Sequence, residues 1–269
     1  MKILLPAALA VTLAHAAFAE VKVAVGDIND KRTTGKFFAG LEIELKLSGP
    51  ELAEAKGIRT TVKSATDDTG KALPEPGNRF GSKGGFEELQ KAFGGGFSNE
   101  KKADEFQVKL EFGNPPRTAK AIKELSGTIE LLIPAKDPAA VISASVAKDA
   151  GKPLDNAALR AAGVEFTLRK PGAAEKKPSG FSFGGSLGEN DLGYEIKDPK
   201  NKIASVEFFD ASGKKLESNG RMSSGSNESK TVSITFNAKP PADAVAKIYV
   251  VTEKSVITVP LALKDVPLP

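Results

Sequence analysis

Apolar and polar residues alternate along much of this chain. Leu41, Ile43, Leu45 and Leu47 interleave with Glu42, Glu44 and Lys46. Phe106, Val108, Leu110 and Phe112 interleave with Gln107, Lys109 and Glu111. Val164, Phe166 and Leu168 repeat the pattern, as do Val232, Ile234 and Phe236. Side chains of an extended backbone point to opposite faces with period two, so each run predicts a strand with one dry face and one wet face. Such one-sided strands belong to antiparallel sheets, because parallel sheets are usually buried on both faces. Further strands are expected at 21–25, 58–65, 128–133, 141–147, 203–209, 246–252 and 255–263. Turn residues punctuate them, as in β-sandwiches. Helix is expected only twice. Phe86, Leu89 and Phe93 fall at i, i+3 and i+7 in "FEELQKAF", and "DNAALRAA" at 155–162 has Asp155 or Asn156 as its cap.

A second pattern is a repeat. "DDTGKAL" begins at Asp67 and "DASGKKL" at Asp210, so Asp-x-x-Gly-Lys-x-Leu occurs twice. Each copy is preceded by a strand and followed by a strand, a Pro-Pro pair and two more strands; Pro115-Pro116 corresponds to Pro240-Pro241. The first copy carries about 18 more residues between the turn and the prolines, placed within 78–98. Two copies of one supersecondary plan predict two domains, with a boundary near "PAKDPAA" at 134–140.

The repeated heptad predicts a turn rather than a ligand site. An Asp side chain accepts hydrogen bonds from backbone two residues on, and Gly takes the left-handed conformation that returns the chain. Asp67, Gly70, Asp210 and Gly213 are therefore structural, with Gly70 and Gly213 at positive φ. A shorter version, "DAGKPL", stands at 149–154. These loops are too poor in carboxylates for an EF-hand, and neither has the Gly-x-x-x-x-Gly-Lys-Ser/Thr order of a phosphate loop.

Composition narrows the chemistry. Lys2, the apolar run Ile3–Leu13 and the small residues around Ala17-Phe18-Ala19 have the form of a signal peptide over 1–19, with cleavage expected before Glu20. This predicts export to the periplasm or the medium. No later run has the length of a membrane span. There is no Cys and no Trp, and the single His is His15, within the expected signal peptide. A mature chain without imidazole or thiol excludes Ser-His-Asp and Cys-His catalysis and zinc sites built on those ligands. Carboxylate chemistry or a Ser-Lys pair remains open. The net charge of +4 is spread evenly, which argues against nucleic acid as a partner. No cofactor is expected.

Two candidate sites stand out. "GDINDK" at 26–31 is similar to part of the Asp-x-Asn-Asp calcium motif of cadherin linkers, so Asp27, Asn29 and Asp30 are weak metal candidates; the alternative is an Asx-rich turn after the first strand. The segment 78–100 places Phe80, Phe86, Phe93 and Phe97 among glycines, and 179–190 repeats the flavour with Phe181 and Phe183. These rings, with Leu89, either cover a sandwich end or form an apolar surface for a protein partner. With only two Tyr and no Trp, a sugar-stacking face has little support.

The combination "DDTGKAL…NPPRTAKAIKELSGTIEL" and the ending "VPLALKDVPLP" resembles a set of uncharacterised exported bacterial proteins made of tandem immunoglobulin-like repeats. The resemblance covers 58–134 and 203–269 and implies fold and export rather than activity. The resulting expectation is an all-β protein of two tandem antiparallel Ig-like β-sandwich domains, 20–137 and 138–269, with short helical insertions. Its expected role is a non-catalytic binding or structural module of the bacterial envelope, partnered by another envelope or extracellular protein. The alternatives are a periplasmic chaperone or assembly factor that offers an edge strand, and a carboxylate- or Ser-Lys-dependent hydrolase.

Overall fold

The alternation in Gly40–Ser48 becomes a strand whose Leu41, Ile43, Leu45 and Leu47 are at most 1% exposed, while Glu42, Glu44 and Lys46 face outward. The same logic builds the rest of the protein. The computed structural model describes residues 21–33, 39–74, 85–87, 105–170, 187–226 and 228–269. Its class is all-β, with four antiparallel sheets and few helices.

The strands are β1 (Lys22–Lys31), β2 (Gly40–Ser48), β3 (Gly57–Asp67), β4 (Glu105–Phe112), β5 (Ala121–Leu132), β6 (Val141–Ser145) and β7 (Glu165–Leu168). They continue as β8 (Asp191–Lys197), β9 (Ile203–Phe209), β10 (Ser218–Gly225), β11 (Ser229–Phe236), β12 (Val245–Val250) and β13 (Val256–Pro267). In the first half, the sheets β1-β2-β4 and β13-β5-β3 share one apolar cluster, to which Leu41, Ile43, Leu45, Val108 and Leu110 come from one sheet and Ile122, Leu125, Ile129 and Leu131 from the other. In the second, β10-β11-β8-β7 and β6-β12-β9 share another, centred on Phe166, Tyr194, Phe208, Phe236 and Ile248. Phe166 stacks on Tyr194 at 5.2 Å between ring centroids, and Phe208 meets Phe236 edge-on at 5.7 Å. Offset and edge-on rings of this kind add to the stabilisation from burial alone.

The C-terminal strand departs from the expected division at residue 137. Residues 256–267 would belong to the second domain, but β13 pairs with β5 at eleven positions, from Val256 opposite Leu132 to Pro267 opposite Ala121. Its Leu261 and Val266 are buried in the first cluster. Conversely β6, which follows β5 in sequence, pairs with β12 of the second half. Alternation specifies that a segment is a strand; the pattern of Ile257, Val259, Leu261 and Leu263 fits either sandwich, and the partner is chosen by long-range packing. Pro260 is tolerated because β13 is an edge strand.

The helix over 155–162 is observed as Ala157–Ala162. Asn156 caps it by accepting from the backbone N–H groups of Ala158 and Leu159, and Gly163 closes it at φ +71°. The helix expected from Phe86 is not what its first residues adopt: Glu87 forms an antiparallel bridge with Ile58. The remaining residues of that run, and the expected signal peptide, lie outside the described residues. Among the described residues no helix is long and apolar enough to cross a membrane.

Candidate functional site

Buried and part-buried polar groups meet aromatic rings at the junction of the two sandwiches. Both β5 and β12 run into it, and β3, β6, β9 and β13 begin beside it. The backbone is stitched there in matching fashion: Lys56 N–H donates to the Leu132 carbonyl at 2.9 Å, and Val251 N–H donates to the Lys202 carbonyl at 2.7 Å. Between these strand ends Phe86, Leu132, Ala204, Tyr249 and Val251 form a small third apolar cluster. Phe86, held by the Ile58–Glu87 bridge, is 7% exposed. The Arg59 guanidinium lies 4.7 Å from the centre of its ring and binds both carboxylate oxygens of Glu130 at 2.7 and 2.8 Å. The guanidinium holds the Glu130 carboxyl below the usual range through that hydrogen-bonded pairing.

A charged knot sits against this cluster. Glu207 accepts from Lys215 Nζ at 2.7 Å and from the Tyr249 hydroxyl at 2.9 Å, and Lys56 Nζ stands 3.3 Å from it. Burial alone would push the Glu207 carboxyl up, but the two ammonium groups and the phenol hold it below its ordinary value. Burial and the adjacent carboxylate raise the Tyr249 phenol, so it stays neutral and donates. A clasp joins the two connections between the sandwiches. Thr252 Oγ1 donates to Asp137 Oδ2 at 2.7 Å, Ser255 Oγ lies 2.9 Å from that hydroxyl, and Ile133 N–H donates to the Ser255 carbonyl at 2.7 Å. Ser255 is fully buried. These polar groups are engaged in holding elements together: Arg59–Glu130 and Tyr249–Glu207 act within one sheet each, while Lys56–Glu207 and Thr252–Asp137 link the two halves and their connections.

Of the expected apolar contact residues, only Phe86 is described, and it is buried at this junction rather than displayed for a partner. Phe80, Leu89, Phe93, Phe97, Phe181 and Phe183 lie outside the described residues. Asp27, Asn29 and Asp30 are in β1, not in a turn: Asp27 falls at a register shift between Val25 and Ile28, while Asn29 and Asp30 pair with Glu42 and Leu41. Asp30 accepts from the Arg32 guanidinium and from Asn114 Nδ2 at 2.5 Å, which uses both its oxygens. Among the described residues no group of three or more His, Cys, Asp or Glu is placed to hold a metal ion.

The turn residues behave as expected, nearly atom for atom. Asp67 Oδ1 accepts from Thr69 N–H, Thr69 Oγ1 and Lys71 N–H at 2.9, 2.6 and 3.0 Å; Asp210 Oδ1 accepts from Ser212 N–H, Ser212 Oγ and Lys214 N–H at 2.9, 2.6 and 3.0 Å. Gly70 and Gly213 have φ of +81° and +84°. The shorter "DAGKPL" version shares only its glycine, Gly151 at φ +86°, because Asp149 instead accepts from Ser145 N–H. Sequence reasoning missed the junction polar groups. Tyr249 was one of only two tyrosines, the single available signal; Glu207 alternates like any outward strand residue. The chain matches no protein-family model, no curated protein and no solved structure.

Proposed function

We propose that this protein is a non-catalytic binding or structural module of the bacterial envelope, built from two Ig-like sandwiches. The strand orders support the Ig-like part. With β1 to β5 taken as strands A, B, C, E and F, the first half has the orders A-B-E and C-F, closed by β13 in the place of G. The second half has A-B-E-D in β7-β8-β11-β10 and C-F in β9-β12, closed by β6 in the place of G. These orders are those expected of the two sheets of the immunoglobulin plan, which supports the reading. Export rests on the apolar run over residues 3–13.

The observation that carries the functional reading is the destination of the buried polar groups. Lys56, which leads into β3 of the first sandwich, pairs with Glu207 of β9 in the second, and Thr252 of one connection donates to Asp137 of the other, so the polar groups that meet here tie elements together and leave sheet faces and edges for contact. A native pull-down from the envelope fraction, using the exported chain as bait, tests this. Specific capture of an envelope or extracellular protein is expected. Turnover of a generic ester, peptide or glycoside substrate by the purified chain, with no captured partner, would replace this reading with the hydrolase.

One observation favours the assembly-factor alternative. β10 covers the outer edge of β11 in the second half, whereas among the described residues no strand pairs with the corresponding edge of β4. An open edge can accept an extended client strand. Cross-links from a captured partner to 105–112 would identify that mode, and cross-links confined to other faces would dismiss it.

A further inference from the structure

β6 and β13 occupy equivalent places in the repeated plan. Each comes after a strand that runs into the junction, β5 or β12, and neither folds back on the strand before it. β6 crosses to β12 and β13 crosses to β5, so each sandwich is completed by a strand from the other half. This is strand exchange carried out within one chain.

We propose that β13 is an exchangeable donor strand whose second acceptor is β5 of another copy of this chain, so that the protein associates with itself by strand exchange. The acceptor edge and the donor are identical in a second copy. The eleven paired positions and the burial of Leu261 and Val266 therefore carry over without any new interface. The two connections differ in stiffness. The first, 133–140, contains Pro134 and Pro138, and the residues before them, Ile133 and Asp137, are extended with ψ of 91° and 110°. Proline fixes its own φ and restricts the preceding residue, so this crossing is set. The second, 251–255, has no proline, and its Glu253 and Lys254 are exposed. Between its backbone anchors, Val251 N–H donating to the Lys202 carbonyl and Ile133 N–H donating to the Ser255 carbonyl, it is secured by hydrogen bonds between Thr252 and Ser255 and from Thr252 to Asp137. β13 lies at a sheet edge, paired with β5 alone, so it can leave β5 without breaking another strand pairing. Within one chain it is favoured by a high effective concentration; a second copy competes as concentration rises.

The chain has no cysteine, so a designed pair reports this directly. Thr128 and Pro260 are directly opposed in the register and neither is buried. The full chain carrying Thr128→Cys and Pro260→Cys is refolded at increasing concentration, oxidised, and read by non-reducing electrophoresis and light scattering. Expected are an intrachain disulfide in dilute samples and a disulfide-linked species of doubled mass whose fraction rises with refolding concentration. A second variant lacks Glu253 and Lys254, which shortens the connection so that β13 cannot return to its own β5. It is expected to double in mass at a concentration where the parent chain is monomeric. Only intrachain disulfides at every concentration, or dimers whose two introduced thiols remain joined within each chain, would overturn the proposal, as would a monomeric deletion variant. Should either variant fail to fold, the other decides.

Discussion

Asp67 and Asp210 hold the same turn, yet one carboxylate is sealed from solvent and the other is partly open. The local hydrogen bonds agree to within a tenth of an ångström, so local sequence is not the cause. The difference lies next door. β3 stays paired with β5 as far as Asp67 opposite Ile122, and the turn is then stitched on: Asp68 N–H donates to the Ala121 carbonyl at 3.0 Å and Asp68 accepts from Lys120 N–H at 3.1 Å. β9 pairs with β12 only as far as Phe209 opposite Val245, so Asp210 lies one residue beyond the pairing. A turn motif thus dictates its own backbone, while the length of the adjacent strand decides how much that turn is asked to bear.

The same contrast holds for the segment after each turn. In the first copy the interval before β4 supplies Phe86 to the junction; in the second the corresponding interval forms β10, a polar edge strand with Met222 59% exposed. The largest effect is therefore expected from Phe86→Ala, which should cost about 3–5 kcal/mol by the usual range for deleting a buried aromatic. Met222→Ala should stay within about 0.5 kcal/mol, as surface substitutions do. Chemical denaturation of both variants checks the pair. Equal effects would mean that the first interval holds no wedge.

Next in size is Gly127→Ala. A Cβ at Gly127 would lie 2.1 Å from the Thr61 carbonyl oxygen, at the register shift in β3 between Val62 and Ser64. That oxygen is backbone and cannot swing away, so a loss of about 3 kcal/mol is expected, at the upper end for overpacking. The equivalent stretch of the second sandwich, the middle of β12, has Lys247 and Ile248 in place of a glycine. Thermal unfolding with separate probes for each half should show the loss begin in the first.

The two copies also explain how much could be read in advance. Strict alternation within Gly40–Ser48 and Glu105–Phe112 marked those strands almost to the residue, because one face of each meets a core. β10 was not legible: "SNGRMSSG" has no apolar period, and it is a strand only because β11 offers an edge. β8 was missed for a related reason, since Gly193 interrupts its pattern and the glycine-rich run before it drew attention away. The destination of β13 was out of reach, because it depends on a partner distant in sequence; burial of Phe86 was one of two open readings, but its place between the sandwiches depends on equally distant neighbours. The Asp bond to backbone two residues on and the left-handed glycine were legible, because the bonds that each Asp side chain accepts lie within five residues.

Gly70→Val and Gly213→Val test that last point. Neither position has any atom within 4 Å of a built Cβ, so the whole cost comes from forcing a β-branched residue to positive φ. About 1–3 kcal/mol is expected for each, and the two should agree closely. Asn tolerates this conformation, so Gly→Asn at either site should recover most of the loss. Unequal valine costs would show that neighbours, not the turn, set the strain.

The smallest and most discriminating contrast is between the carboxylates themselves. Asp67 is held below the usual carboxylate range mainly by the Thr69 hydroxyl, and Asp210 mainly by the Ser212 hydroxyl. A carboxyl depressed on folding contributes stability that is present above its unfolded value, about 3.9, and is lost as pH falls through its lower folded value. Replacement by Asn keeps the Oδ1 acceptor and removes the charge. At Asp67 the second oxygen is buried without a hydrogen-bond partner, so an amide NH2 placed there is an unpaired buried donor. At Asp210 water can reach the group. Asp67→Asn should therefore lower Tm clearly at pH 7, and Asp210→Asn should lower it little. On titration from pH 7 to pH 2 each variant should lose less further stability than the parent chain, since one carboxylate no longer titrates. If Asp210→Asn proves the more damaging at pH 7, the length of β3 is not what makes the first turn matter more.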